Sequence, residues 1–240
     1  MFVWSAGRAP ERVADGVWLV RGGFPARIMN VFLIEDGGGV TMFDAGIAAM
    51  AGALAAAAAE LGGIKRVILG HADADHRGAA PSLGAPVLCH EGERAAAESP
   101  SPYRDYWDFD KLRRPTNVVM PKLLKHWDAG AVKIAGTLAE GDEVAGFRVI
   151  HLPGHAPGLI GLFRESDALA LCSDLIYTLD VETGIPGRPR VPHPAFNLDS
   201  GQARASIARL AALGPSAVWP GHTKPVLGDA RATLERLVAA

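Results

Sequence analysis

The chain is poor in cysteine and has no surplus of positive charge. Cys89 and Cys172 are its two cysteines, too few for a disulfide framework, and this usage favours a reducing compartment. The 24 basic residues are balanced by 26 acidic ones, giving a formal net charge of −2. Without a basic excess to neutralise phosphates, we expect no nucleic-acid partner.

Long apolar runs are also absent. The longest, Ile47–Ala59, is mostly alanine and falls short of the roughly 20 residues that span a bilayer. The segment Met1–Val13 lacks the apolar core of a signal peptide. The sequence therefore predicts no membrane association and a cytoplasmic location. With 49% hydrophobic and 21% charged residues, the composition is typical of a globular chain, and the length predicts a single domain over residues 1–240.

Both halves of the chain pass from short β-rich runs to a helical segment, which predicts an α/β fold of two similar layers. Helices are expected at Ile47–Leu61, Gly201–Leu213 and Asp229–Val238, and the proline-rich segment Thr178–Ser200 is expected to be a long loop. Strands are predicted at Val17–Arg21, Val31–Glu35, Val40–Asp44, Arg66–Gly70, Pro86–Cys89, Val132–Ala135, Phe147–Leu152, Leu159–Phe163, Ala168–Ser173 and Ala217–Trp219.

The middle of the chain, residues 91–130, combines helical spacing with a concentration of aromatic residues that includes Trp107. Met120, Leu124 and Trp127 fall on one helical face. The spacing predicts a helical insertion that packs on the core. The same apolar segment would also serve as a wall or lid over a pocket, and the sequence leaves both interpretations open.

The segment His71-Ala-Asp73-Ala-Asp75-His76 carries four potential metal ligands within six residues, directly after a predicted strand. A turn there would aim His71 and Asp73 to one side, and Asp75 and His76 to another. Imidazole and carboxylate groups suit zinc, manganese or iron. This density of ligand types predicts a metal site.

Three further candidates each follow an apolar strand. They are His155 in a Pro-Gly-His turn, Asp174 in a Cys-Ser-Asp turn and His222 in a second Pro-Gly-His turn. Glycine beside each histidine permits the tight backbone that aims an imidazole into a shared cleft. We therefore expect these turns to lie at one edge of a sheet.

Together with the turn Phe43-Asp44-Ala45-Gly46, these motifs follow the order typical of the metallo-β-lactamase-fold hydrolases, which the chain resembles over nearly its whole length. The resemblance implies an αββα sandwich with a dinuclear metal site at one edge, here with a helical insertion around residues 91–130. It assigns His71, Asp73 and His155 to the first metal, Asp75, His76 and His222 to the second, Asp174 to a bridging position, and Asp44 to the orientation of a ligand.

Asp73 departs from the family pattern, because most members carry a second histidine at this position. Two divalent ions would bring four positive charges, and three aspartates with one hydroxide would cancel them. A neutral core is a weaker Lewis acid, and the extra oxygen ligand favours manganese or iron, although zinc remains the first choice. The alternative is that Asp73 does not bind metal.

The resemblance implies a hydrolase in which a hydroxide activated by two divalent metal ions attacks a carbonyl carbon, while Asp75 also handles a proton. Cleavage of an ester, thioester or lactone in a small organic substrate ranks above β-lactam cleavage. Candidate substrate contacts are Trp107, Tyr177 and His193. The alternatives are a mononuclear iron enzyme like the family's sulfur dioxygenases, and a non-catalytic binding module. The sequence leaves open whether the protein is a homodimer.

Overall fold

The computed structural model describes residues 9–24 and 26–239. Residues 1–8 of the segment Met1–Val13 therefore lie outside the described part. Among the residues that are described, no helix is both long enough and apolar enough to cross a membrane.

Seven strands form the first sheet, in chain order across the sheet. The strands at one end are antiparallel, whereas β4 to β7 run parallel to one another. Their bounds are β1 (Glu11–Ala14), β2 (Val17–Gly22), β3 (Met29–Glu35), β4 (Val40–Phe43), β5 (Ile64–Ile68), β6 (Val87–His90) and β7 (Ile134–Leu138).

The second sheet has six strands in the order β15-β14-β11-β10-β9-β8, and a separate hairpin pairs β12 with β13. Within this sheet β11 and β14 are parallel, and β9 points the same way because β10 is antiparallel to both β9 and β11. The bounds are β8 (Glu143–Val144), β9 (Phe147–His151), β10 (Ile160–Arg164), β11 (Leu169–Ser173), β12 (Tyr177–Asp180), β13 (Ile185–Arg190), β14 (Ala217–Pro220) and β15 (Val226–Leu227).

Helices cover the outer face of each sheet. The helices of the described residues are α1 (Ala51–Ala59), α2 (Ala74–Arg77), α3 (Glu91–Ala97), α4 (Thr116–Trp127), α5 (Ser200–Ala212) and α6 (Ala230–Ala239), of which the short α2 lies within the motif 71–76 at the edge of the sandwich. Leu54 of α1 and Leu124 of α4 belong to the core over the first sheet, and Ile207 of α5 and Leu234 of α6 to the core over the second. The layers are thus helix, sheet, sheet and helix, as predicted.

A third core lies between the two sheets. Phe32 and Phe43 from the first sheet meet Phe147, Leu162 and Trp219 from the second, and all are buried. Burial of such side chains contributes roughly 1.5–3 kcal/mol each, so this layer holds the sheets face to face.

The structure corrects one predicted loop. Thr178–Ser200 contains most of the hairpin β12–β13, in which Asp180 pairs with Ile185. Two prolines and a glycine within β13 obscure the strand signal, and such residues are tolerated here because this strand has a single hydrogen-bonded neighbour. The insertion between β6 and β7 is helical, as predicted, with α3, α4 and a 3₁₀ turn at Phe109–Lys111.

The strand directions bring the candidate metal ligands to one edge of the sandwich. The motif 71–76 follows β5, and Asp44 follows β4, which is parallel to β5. His155, Asp174 and His222 follow β9, β11 and β14, which share one direction in the second sheet. Backbone hydrogen bonds from Ile160 to Gly70 and from Asn30 to Gly221, both 2.8 Å, join the two sheets at this edge.

Candidate metal centre

One group of candidate metal ligands forms around Asp73. Its Oδ2 atom lies 3.2 Å from Nε2 of His71 and 3.3 Å from Nε2 of His155. All three residues are buried. Two imidazoles and a carboxylate therefore converge within the space of one metal ion.

A second group forms around His222. Its Nε2 atom lies 3.5 Å from Oδ2 of Asp75 and 3.4 Å from Nε2 of His76. Helix α2, which begins at Ala74, turns Asp75 and His76 away from Asp73, as the motif predicts. These three ligand atoms also lie close enough together to hold one ion.

Asp174 lies between the two groups. Its Oδ1 atom is 3.2 Å from Nε2 of His76, and its Oδ2 atom is 3.2 Å from Nε2 of His222. The same Oδ2 atom is 3.9 Å from Nε2 of His155 in the first group. The carboxylate therefore faces both groups at once.

Neighbouring oxygen atoms set the tautomers of three imidazoles. Nδ1 of His76 lies 2.9 Å from Oδ2 of Asp44, which also accepts the Ser173 hydroxyl. Having donated its proton there, Ser173 Oγ accepts from Nδ1 of His71 at 3.1 Å. Nδ1 of His155 lies 3.1 Å from Oδ1 of Asn197, whose Nδ2 donates elsewhere. Each Nδ1 carries the proton, and each Nε2 offers its lone pair to the centre.

Two glycines allow the turns that carry His155 and His222 to pack closely against their neighbours. A Cβ atom on Gly221 would stand 2.5 Å from Cε1 of His76 and 2.6 Å from Oδ1 of Asp174. Gly154 has a positive φ of 134°, and a Cβ atom there would lie 2.1 Å from the Ala203 nitrogen. Both Pro-Gly-His turns thus need glycine for space, and the turn at Gly154 also needs it for backbone conformation.

Charge interactions shift the ionisation of the buried ligands. Burial by itself would raise the pKa of Asp73, but His71 and Arg104 hold that pKa well below its usual range. Burial opposes a positive charge on His76, yet Asp174, Asp44 and Asp75 outweigh it and raise its pKa well above the ordinary value. The carboxylates thus favour positive charge among the seven side chains, whether it is a proton on an imidazole or a bound cation.

The donor atoms themselves indicate that the centre fits a metal ion. Nε2 of His71, Oδ1 of Asp174 and Nδ1 of His222 are buried and have no hydrogen-bond partner among the described residues. Buried polar atoms are normally paired, so unpaired atoms at the centre point to a missing ligand. The first two face the group of carboxylate oxygens and imidazole nitrogens that suits a divalent ion.

An apolar cavity of about 340 Å³ opens directly above this centre. Asp73, Asp75, Asp174 and His222 line its floor. Its walls come from α4, from the hairpin β12–β13 and from the 3₁₀ region, and include Trp107, Val119, Met120, Leu123, Tyr177 and Phe196. No lysine or arginine is among the described residues that line it.

The substrate contacts expected from the sequence have different positions. Trp107 and Tyr177 line the cavity, and the Tyr177 ring lies 5.7 Å from that of His222. His193 does not line it; it lies in an adjacent groove, with Nε2 3.9 Å from Glu182. Cys89 and Cys172 are buried free thiols, and burial raises the pKa of Cys89 to about 12.

The sequence did not indicate four residues that contact the candidate ligands or their loops: Glu93, Arg104, Ser173 and Asn197. Ser173 adjoins Asp174 in the sequence, so its position beside a ligand was a usable signal. Glu93 and Arg104 lie in the insertion, and Asn197 lies in the segment expected to be a loop. No local motif marks these three, because their contacts with the ligand-bearing loops span at least 21 residues.

The family model of the metallo-beta-lactamase superfamily matches residues 25–222, most of the chain. The chain therefore belongs to the metallo-beta-lactamase superfamily, as its motifs and fold indicated. The probable metallo-hydrolase YqjP of Bacillus subtilis (strain 168) is 27% identical over 221 residues, which cover 82% of this chain and 67% of YqjP.

Solved structures agree on the fold. The metallo-beta-lactamase family protein TTHA1429 from Thermus thermophilus matches with a TM-score of 0.67 and 26% identity, over 95% of this chain and 80% of that one. TTHA1623, solved in a di-iron-bound form, matches with a TM-score of 0.65 and 24% identity, over 91% of this chain and 97% of its own. The predicted αββα architecture is thereby confirmed.

Proposed function

We propose that this protein is a metal-dependent hydrolase that cleaves an ester, thioester or lactone bond in a small organic substrate. The observation that carries the proposal is the convergence of seven histidine and aspartate side chains, four of which line the floor of an apolar cavity. The relative YqjP, a probable metallo-hydrolase, supports it.

The ligand geometry supports two divalent ions. His71, Asp73 and His155 would hold one, Asp75, His76 and His222 the other, and Asp174 would bridge them. Zinc is our first choice, with manganese or iron favoured by the extra carboxylate of Asp73. When bound, such a pair supplies Lewis acidity and lowers the pKa of a coordinated water.

Residues of the chain supply the remaining functions. The Asp75 side chain is 14% exposed at the cavity floor, which supports a role for it in holding a proton during the reaction. Burial, reinforced by Asp174, raises the pKa of Tyr177 well above its usual value, so its hydroxyl stays a hydrogen-bond donor next to the centre. The apolar walls around Trp107 exclude water and bind the organic part of the substrate.

The cavity favours uncharged substrates, which is why β-lactams rank lower. A β-lactam antibiotic carries a carboxylate, and the described residues of the cavity wall offer it no lysine or arginine. Glu182, which also lines the cavity, would repel such a group.

One observation favours a second candidate function. His71, His155 and Asp73 form a set of two histidines and one carboxylate, the ligand pattern of non-haem iron oxygenases. A mononuclear iron dioxygenase acting on a persulfide would use this set alone. The presence of Asp75, His76 and His222 as a complete second group favours the dinuclear hydrolase instead.

Metal content of untagged protein, measured by elemental mass spectrometry, is the first test. We expect about two equivalents of a divalent metal and metal-dependent turnover of neutral esters, thioesters or lactones. Asp174→Ala should lose both metal and turnover, whereas His193→Ala, outside the cavity, should retain both. About one equivalent of iron with oxygen uptake would support the dioxygenase. Bound metal with no turnover of any of the esters, thioesters and lactones tested would support a binding module.

A further inference from the structure

Three buried charged residues, Glu93, Arg104 and Asp73, are linked in a row that ends in the first group of candidate metal ligands. Nε of Arg104 donates to Oδ1 of Asp73 at 2.6 Å, and its Nη2 donates to Oε2 of Glu93. Glu93 is fully buried, and the side chain of Arg104 is 8% exposed. A buried arginine with bonds to two carboxylates is held firmly, because each bond is charge-assisted and its geometry is fixed by the planar guanidinium.

Glu93 anchors this row to the loops that carry the ligands. Its Oε2 accepts the backbone N–H of Ala72, and its Oε1 accepts that of Gly158, both at 2.9 Å. Ala72 lies between His71 and Asp73, and Gly158 lies three residues beyond His155. Glu93 therefore connects the two loops that supply the first group, and it holds Arg104 against them.

The arginine leaves Asp73 with one oxygen for a metal. Oδ1 is occupied by Arg104, while Oδ2 faces Nε2 of His71 and of His155 at 3.2 and 3.3 Å. The group Glu93, Arg104 and Asp73 carries one net negative charge. A cation at Oδ2 would balance that charge. With a neutral imidazole in place of Asp73, the group would have no net charge to attract a cation.

We propose that Arg104 is a positioning residue that makes Asp73 a ligand through a single oxygen, and that Arg104 with Glu93 allows a carboxylate to replace histidine at this position. The proposal rests on the metal binding proposed above, but not on any reaction. It links the variant motif of this chain to a residue of the helical insertion.

A double-mutant cycle tests this role by the affinity for Co²⁺, measured by competition with a chelator, and by the visible spectrum of the Co²⁺ protein. The variants are Arg104→Ala, Asp73→His and the combination of both. With Asp73 present, Arg104→Ala should weaken one of the two Co²⁺ equivalents by about 10–100-fold and alter the spectrum. With His at position 73, the same change should have no effect or should improve binding, because the arginine then faces an imidazole.

A merely structural role for Arg104 predicts equal losses in both backgrounds, and that result would overturn the proposal. So would an unchanged spectrum and affinity in Arg104→Ala. If removing the charge beside buried Glu93 unfolds the protein, Arg104→Lys takes its place in the cycle, since one ammonium keeps the charge but does not reproduce the fork between two carboxylates. Arg94→Ala, an arginine of α3 paired with exposed Glu91, is the matched control and should match the unmodified protein.

The outcomes separate this proposal from the hydrolase. Protein that binds no Co²⁺ at all overturns both. Protein that shows the expected coupling but turns over no substrate overturns the hydrolase and leaves the role of Arg104 supported.

Discussion

Asp44, at the end of β4, holds the side chain of the candidate metal ligand His76. Its Oδ1 accepts the Gly70 N–H at 2.7 Å, and its Oδ2 accepts from Nδ1 of His76 and from the Ser173 hydroxyl. Its φ of 61° places it in the left-handed region, which aspartate tolerates better than most residues. The family resemblance assigned Asp44 to the orientation of a metal ligand, and in the structure Asp44 contacts His76.

Asp44→Asn should therefore impair metal binding without changing size. An amide has one acceptor oxygen, so either Gly70 or His76 must face an NH₂ group. We expect affinity for the ion held by His76 to fall by about 10–100-fold, measured by chelator competition. Asp36→Asn is the matched control. Asp36 lies in the turn between β3 and β4, at the end of β4 away from Asp44, and it accepts a hydrogen bond from the Thr41 hydroxyl. Equal affinities for both variants would show that Asp44 does not orient His76.

At the scale of elements, the helical insertion and the hairpin β12–β13 make the cavity that the two sheets alone would leave open. Val119, Met120 and Leu123 of α4 face Tyr177 and Leu179 of β12 across it. Arg77 fastens the insertion to the site, since it donates to the carbonyls of residues 96, 97, 99 and 101 and pairs with Asp128. The apolar segment predicted as either core or pocket wall is thus both.

A substitution on α4 tests the wall. Val119 lines the cavity and is 44% exposed, whereas Val118 is 49% exposed and does not line it. Loss of about 50 Å² of apolar contact at ~25 cal/mol per Å² costs about 1.2 kcal/mol. Val119→Glu should raise KM for a neutral ester with an apolar acyl chain by roughly tenfold, with little change in kcat.

The adjacent change Val118→Glu supplies the control for that experiment. It adds the same charge to the same helix at similar exposure, so it should leave KM within about twofold of the unmodified protein. Equal effects of both substitutions in steady-state kinetics would mean that α4 does not contact substrate.

At the scale of the molecule, the candidate metal centre joins the two sheets. The four candidate ligands of the motif 71–76 follow β5 of the first sheet, and the other three follow β9, β11 and β14 of the second. Bound metal is thus expected to act as a link between the layers. Since ligands that bind only the folded state stabilise it by mass action, metal should contribute directly to the free energy of unfolding.

Removal of metal should lower the Tm measured by calorimetry. Metal at about 1,000 times its Kd adds about 4 kcal/mol, which corresponds to roughly 10 °C for a chain of this length. The gain should shrink as pH falls, because Asp174, Asp44 and Asp75 raise the pKa of buried His76 and protons then compete with metal. Asp174→Ala should show little metal-dependent shift, and an unchanged Tm on chelation of the unmodified protein would contradict the link.

Short spacings in the sequence predict much of the fold and of the candidate metal centre. The motif 71–76, the Pro-Gly-His turns and the order of strands are local patterns, because strand ends and turn residues specify where nearby side chains point. Together with the Cys-Ser-Asp turn and the resemblance to the family, they predicted the fold class and the seven candidate ligands. The hairpin β12–β13 was missed, since prolines in β13 mask its pairing.

The surroundings of the candidate ligands, in contrast, depend on long-range packing. Arg104 reaches Asp73 across 31 residues, and Asn197 reaches His155 across 42. Such contacts depend on how the insertion and the long segment before α5 pack over the edge of the sandwich, and no local propensity encodes that packing. Long-range packing also decides the position of His193. This residue follows β13 in the sequence, and the structure places it in a groove beside the cavity rather than in the cavity itself.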